Sequence, residues 1–146
     1  MVYFIILVCV AAVLGPLLSA LPSKHQRAVA GFRDRARQAG IRVQIREPAN
    51  IPPRLQRATD NPLVCYSKVR RNSGVTGSAE LWVRGRSGWE SKSGDTVPAW
   101  LTAVTDHIEV VFAGPEDLQV FWDERGGESA YTQVENLLNA GEGGSS

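Results

Sequence analysis

The chain has 146 residues, with 16 Lys and Arg set against 15 Asp and Glu, and only two cysteines. That length supports one domain with a modest core beside any membrane segment. Two cysteines exclude a disulfide-built scaffold, and two histidines with no CxxC or HExxH spacing provide no metal-site motif.

Met1 to Leu21 carries no charged side chain, and arginine crowds the stretch that follows. At about 1.5 Å per helical residue, the first segment spans roughly the 30 Å hydrocarbon core of a bilayer. A cleaved signal peptide wants a basic start and a small-x-small cleavage site. Here no Lys or Arg precedes the apolar run, and Leu18 stands where a small residue is wanted before Ala20. Residues 1–21 are therefore expected to be a transmembrane anchor in contact with lipid. Lys24, Arg27, Arg33, Arg35 and Arg37 follow, with Arg42 and Arg46 beyond and only Asp34 opposing them. Positive charge beside a span stays in the cytoplasm. The expected topology is a single pass through a bacterial inner membrane, N-terminus outside and C-terminal domain cytoplasmic. The first five of these basic residues are then expected at the anionic membrane surface.

Ser23-Lys24-His25-Gln26 fits a capping box, and Val29, Phe32, Ala36 and Ala39 recur at helical spacing up to Gly40. This predicts a juxtamembrane basic amphipathic helix within 22–40. Ile41, Val43 and Ile45 alternate with Arg42, Gln44 and Arg46, as in a half-buried strand. Residues 48–62 hold four prolines and read as a surface loop. Strands are expected at Leu63–Arg70 and Glu80–Arg84, with turn chemistry at Asn72-Ser73-Gly74 and a short extra strand around Trp89. Asp95–Val104 reads as a short helix. Ile108–Ala113 and Leu118–Asp123 read as a hairpin across Gly114-Pro115-Glu116-Asp117. Tyr131, Val134, Leu137 and Leu138 mark a last amphipathic helix, and 141–146 a flexible tail. The expected fold class is α+β: one transmembrane helix, then at 41–140 an antiparallel sheet of about five strands with helices on one face.

Charge is divided along the chain. Residues 22–105 hold 15 basic and 6 acidic side chains, whereas residues 106–146 hold one basic residue, Arg125, and 9 acidic ones. Such asymmetry can orient a domain or steer a partner, or the two sets can pair within the fold. Arg70-Arg71 and Arg84-x-Arg86, near Trp82 and Trp89, are the residue types of a single-strand nucleic-acid surface. The apolar anchor and acidic C-terminal third argue against it, and no nucleic-acid partner is expected.

The densest functional-looking cluster is Trp122, Asp123, Glu124 and Arg125, with His107 as a further candidate. As a binding site, Trp122 would stack a ligand while a carboxylate holds a cation or works as an acid. As structure, Phe121 and Trp122 alternate across a sheet, and Asp123 and Glu124 are exposed charges at the strand's exit. The structural reading is favoured because alternation alone accounts for it. No G-x-S-x-G elbow or phosphate loop frames any residue, so no catalytic residue, cofactor or metal is assigned. Cys65, in an apolar run, reads as a small buried hydrophobe.

Leu21-Pro22-Ser23-Lys24-His25-Gln26-Arg27 resembles the junction between span and cytoplasmic start in the YajC auxiliary subunit of the Sec preprotein translocase. The resemblance covers about the first 40 residues and implies an N-out span beside a membrane complex engaged in protein transport. That family continues with a GD-x-V-x-T-x-GG segment, which Ile41 onward does not carry, so no functional residue is transferred. The remainder resembles uncharacterised single-span proteobacterial membrane proteins. The expected function is a non-enzymatic accessory or adaptor protein with a membrane-protein partner. The alternative is a membrane-tethered enzyme or ligand-binding domain using Trp122 to Arg125 with His107.

Overall fold

The computed structural model describes residues 1–48, 51–57, 59–70 and 79–140. The turn read at Asn72-Ser73-Gly74, Arg71 of the basic–aromatic set and the tail 141–146 lie outside them. The chain divides into two compact units, Met1–Gly31 and Phe32–Ser146.

The first unit holds helix α1, Val2–Ser19, and the start of helix α2, Lys24–Gln38. α1 continues through Pro16 and buries none of its residues. It is long and apolar enough to cross a membrane, a property it shares with signal sequences. The Ser23 amide donates to Gln26 Oε1 at 3.0 Å, and the Gln26 amide donates to Ser23 Oγ at 3.2 Å. This reciprocal box satisfies two donors at the start of α2.

The second unit begins with the rest of α2. Gly40, at φ 78°, ends the helix in the left-handed region. The Ile41 amide donates to the Ala36 carbonyl at 2.9 Å and the Gly40 amide to that of Arg37 at 3.1 Å, the paired bonds of a Schellman stop. Strands β1 (Arg42–Gln44), β2 (Val64–Val69), β3 (Glu80–Gly85) and β4 (Gly88–Ser91) follow. They are succeeded by helix α3 (Ala99–Thr102), strands β5 (Ile108–Ala113) and β6 (Asp117–Trp122), and helix α4 (Gly127–Ala140). α3 is shorter than expected because Pro98, extended at ψ 144°, is its N-cap and the backbone before a proline disfavours helix.

The sheet has six antiparallel strands in the order β1-β2-β6-β5-β3-β4. The hairpin β5–β6 occupies its centre and separates β2 from β3. These strands hold Ile108, Val110, Val111, Val120, Phe121 and Trp122, all at most 3 % exposed, so water is excluded from both of their faces. On one face Tyr66, Trp82, Val111, Val120 and Trp122 pack with Phe32 and Ala36 of α2, Leu101 of α3 and Tyr131, Val134 and Leu138 of α4. On the other, Cys65, Leu81, Val83, Val110 and Phe121 pack beneath Leu55 and Leu63. The proline-rich segment is thus a cover for the second face rather than a purely surface loop. Buried Leu55 and partly buried Ile51 supply its contacts.

Candidate functional site

The cluster picked out in the sequence lies where β6 leaves the sheet. Trp122 is fully buried, 6.1 Å from the Phe32 ring and edge-on to Tyr66 at 5.4 Å between ring centroids. The last backbone bond of the strand runs from the Asp123 amide to the His107 carbonyl at 3.2 Å. Glu124 then adopts φ 56°, the only positive φ at a non-glycine residue among the described residues, and Gly126 and Gly127 follow at 88° and 70°. This run of left-handed positions turns the chain sharply from strand to helix.

The turn sends neighbouring carboxylates to different partners. Glu124 is 5 % exposed, a departure from the solvent-facing charge expected of it. Arg33 Nε donates to its Oε1 at 2.8 Å and Nη2 to its Oε2 at 2.6 Å, and the Tyr66 hydroxyl donates to Oε1 at 3.0 Å. A bidentate guanidinium–carboxylate pair closed by a phenol leaves little of this carboxylate free for a ligand. The bond from Glu124 raises the Arg33 pKa, and burial, reinforced by the Glu124 charge, raises that of Tyr66.

Two residues further along α2, Arg35 makes a second bidentate pair, with Glu128 in the first turn of α4, and its guanidinium lies 4.5 Å from the Tyr131 ring centre. Tyr131 stacks on Phe32 at 5.0 Å, and burial pushes its phenol up to about 12. Hydrogen bonding to Arg35 lowers the Glu128 pKa. Of the five residues expected at a membrane surface, Arg33 and Arg35 therefore bind carboxylates within the second unit. Arg37 lies exposed 3.6 Å from Asp34, and Lys24 and Arg27 lie exposed in the first unit.

Asp123 faces His107. The imidazole Nδ1 lies 3.0 and 3.1 Å from the two carboxylate oxygens, and Oδ1 also accepts the Arg125 amide at 2.9 Å. A hydrogen on Nδ1 is placed to donate to this carboxylate. The ring rests on the Gly126 backbone: a Cβ there would lie 2.3 Å from His107 Cδ2. This pair can orient an imidazole, but Glu124 is committed to Arg33 and Tyr66, and Arg125 is exposed. The five candidates therefore do not act on one point.

Three further arrangements have partners that the sequence patterns do not specify. Glu109 has no residue opposite it in the β5–β6 register, which passes from Ile108–Trp122 to Val110–Phe121. This bulge buries its carboxylate, where it accepts the Thr59 hydroxyl and lies 3.6 Å from Arg57. No period-two pattern signals a bulge. Arg84 binds Asp106, donates to the carbonyls of Val104 and Thr105 at 3.2 and 3.1 Å, and lies 4.8 Å from the Trp89 ring centre. Its guanidinium thus holds the turn before β5. The third feature, the pairing of Arg33 and Tyr66 with Glu124, joins residues 91 and 58 positions apart, which local patterns do not connect.

Cys65 is buried, and burial raises its thiol pKa, as expected of an inert core cysteine. No cluster of three or more His, Cys, Asp or Glu residues placed to hold a metal occurs among the described residues. No family model, curated protein or solved structure matches the chain.

Proposed function

We infer that the chain is a membrane-anchored, non-enzymatic adaptor that holds a small interaction domain beside a membrane-protein partner. The observation that carries this reading is the use of the Glu124 carboxylate: both oxygens are bound by Arg33 and Tyr66 inside the fold. One of the two carboxylates of the candidate cluster thus fastens α2 to the β6–α4 turn. The proposed setting is a bacterial inner membrane, with α1 uncleaved, the N-terminus outside and the domain in the cytoplasm, because uncharged α1 is followed by Lys24 and Arg27. The likeness of the junction to the YajC subunit makes a protein-export complex the first partner to test.

Photo-crosslinking from exposed positions of the second unit in intact membranes tests the reading. Discrete adducts with a membrane protein are expected, and their absence from every position would refute it. A reporter fused after Ser146 should be active only in the cytoplasm, and a mature N-terminus at Leu21 would exclude the anchor.

The His107–Asp123 pair favours a second reading, a tethered enzyme or ligand-binding domain. Under it, His107→Gln abolishes cellular function while the domain stays folded. Under the adaptor reading the same variant complements normally.

A further inference from the structure

Strand β1 is one edge of the sheet and pairs with β2 alone. Among the described residues its outer backbone groups have no ladder partner, which makes it a template for another strand. Arg42 and Gln44 share a face with their register partners Ser67 and Cys65. Arg46 continues that row, with its guanidinium 5.6 Å from the Phe121 ring centre and a 2.6 Å bond to Gln119 Oε1. Val43 and Ile45 take the opposite face, and Ile45 is 77 % exposed, the most exposed large apolar residue beyond α1 among the described residues. Neither Arg42 nor Arg46 has a carboxylate partner among the described residues, although exposed Glu47 follows in sequence.

Charge selects what can add to this edge. Antiparallel pairing with the same edge of a second copy would oppose two arginine rows on one face, and like charges directly across a strand pair are destabilising. A strand with carboxylates at alternate positions would meet those arginines, and its other residues would fall beside Val43 and Ile45. We propose that β1 is a docking edge for an extended segment of a partner protein in which acidic and apolar residues alternate. Main-chain bonds complete a seventh strand and the arginine row sets its register. This deepens the adaptor reading, on which it rests, by giving its partner a chemistry.

The test uses the full chain in detergent micelles and a fluorescein-labelled peptide of alternating Glu and Val, read by anisotropy. Saturable binding is expected, weakening as salt rises and roughly tenfold weaker in Arg42→Glu/Arg46→Glu. The corresponding Lys and Val peptide should show the reverse preference. N-methylation of one alternate set of peptide amides should abolish binding while methylation of the other set spares it, because only one set faces the edge. Arg42→Gln/Arg46→Gln gives an intermediate loss and keeps the comparison should charge reversal unfold the protein. The proposal is overturned by no binding of the Glu and Val peptide, by equal binding of both peptides, by indifference to methylation, or by self-association in place of peptide binding. Crosslinks to a membrane protein from elsewhere on the second unit, without peptide binding, would remove the docking edge and leave the adaptor reading standing. Peptide binding without crosslinks would do the converse.

Discussion

Glu124 combines a left-handed backbone, φ 56°, with 5 % exposure. Such a conformation costs of order 1 kcal/mol or more for a side chain of this kind, and a buried carboxylate is unfavourable without partners. Arg33 and Tyr66 offset both by binding it at three points. Removing the charge leaves the Arg33 guanidinium facing a neutral amide. A fully buried pair would then lose about 3–5 kcal/mol, but the Arg33 side chain is 28 % exposed, so Glu124→Gln should cost about 2 kcal/mol in denaturant unfolding. A shift below about 0.5 kcal/mol would mean that the carboxylate behaves as a surface charge. Gly126 is constrained twice, by φ 88° and by the imidazole against its Cα. Gly126→Ala should therefore destabilise by about 1–3 kcal/mol, and by measurably less in a His107→Ala background, where the ring is gone. Equal costs in both backgrounds would show that the ring does not constrain this position.

Elements were legible where their signals are local. Ser23 and Gln26 cap α2 as their spacing requires, and Gly40 ends it. The two glycines of this helix should respond oppositely to alanine. Gly40→Ala forces a Cβ into φ 78° and should cost about 1 kcal/mol, whereas Gly31→Ala, inside the helix with nothing within 4 Å, should stabilise by about 0.5–1 kcal/mol. Thermal melts of the two variants decide this, and shifts of the same sign would contradict it. The β5–β6 hairpin was legible too, since its turn and both apolar runs are contiguous. Strand order was not. Only long-range pairing places β6 beside β2 and β5 beside β3, and alternation shows which residues share a face but not which strands are neighbours. Of the site, the sequence exposed the acidic cluster and the burial of Trp122. The fate of the carboxylates depended on a turn at Glu124 and on Arg33, whose charge reads equally well as a membrane contact.

At the scale of the molecule, the second unit contains the whole sheet and both core clusters, which predicts that a fragment starting at Ser23 folds without α1. That fragment retains two tyrosines, Tyr66 and Tyr131, both at most 1 % exposed. Burial raises both phenol pKa values, with that of Tyr131 reaching about 12, against about 10 in an unfolded chain. A raised folded pKa stabilises the fold fully below the unfolded value and stops doing so as pH climbs through the folded one. Unfolding midpoints should therefore be level in this respect up to about pH 10 and fall steeply between about 10 and 12. Tyrosinate absorbance at 295 nm should rise together with loss of circular dichroism, because the ring ionises when the core opens. Tyr131→Phe removes one of the two groups and should flatten the alkaline fall, whereas Tyr66→Phe also removes a bond to Glu124 and should lower stability at neutral pH as well. If both tyrosines ionise near pH 10 while the dichroism is unchanged, then neither phenol is sealed in the core. The packing of α2 and α4 over Trp122 would then be looser than described.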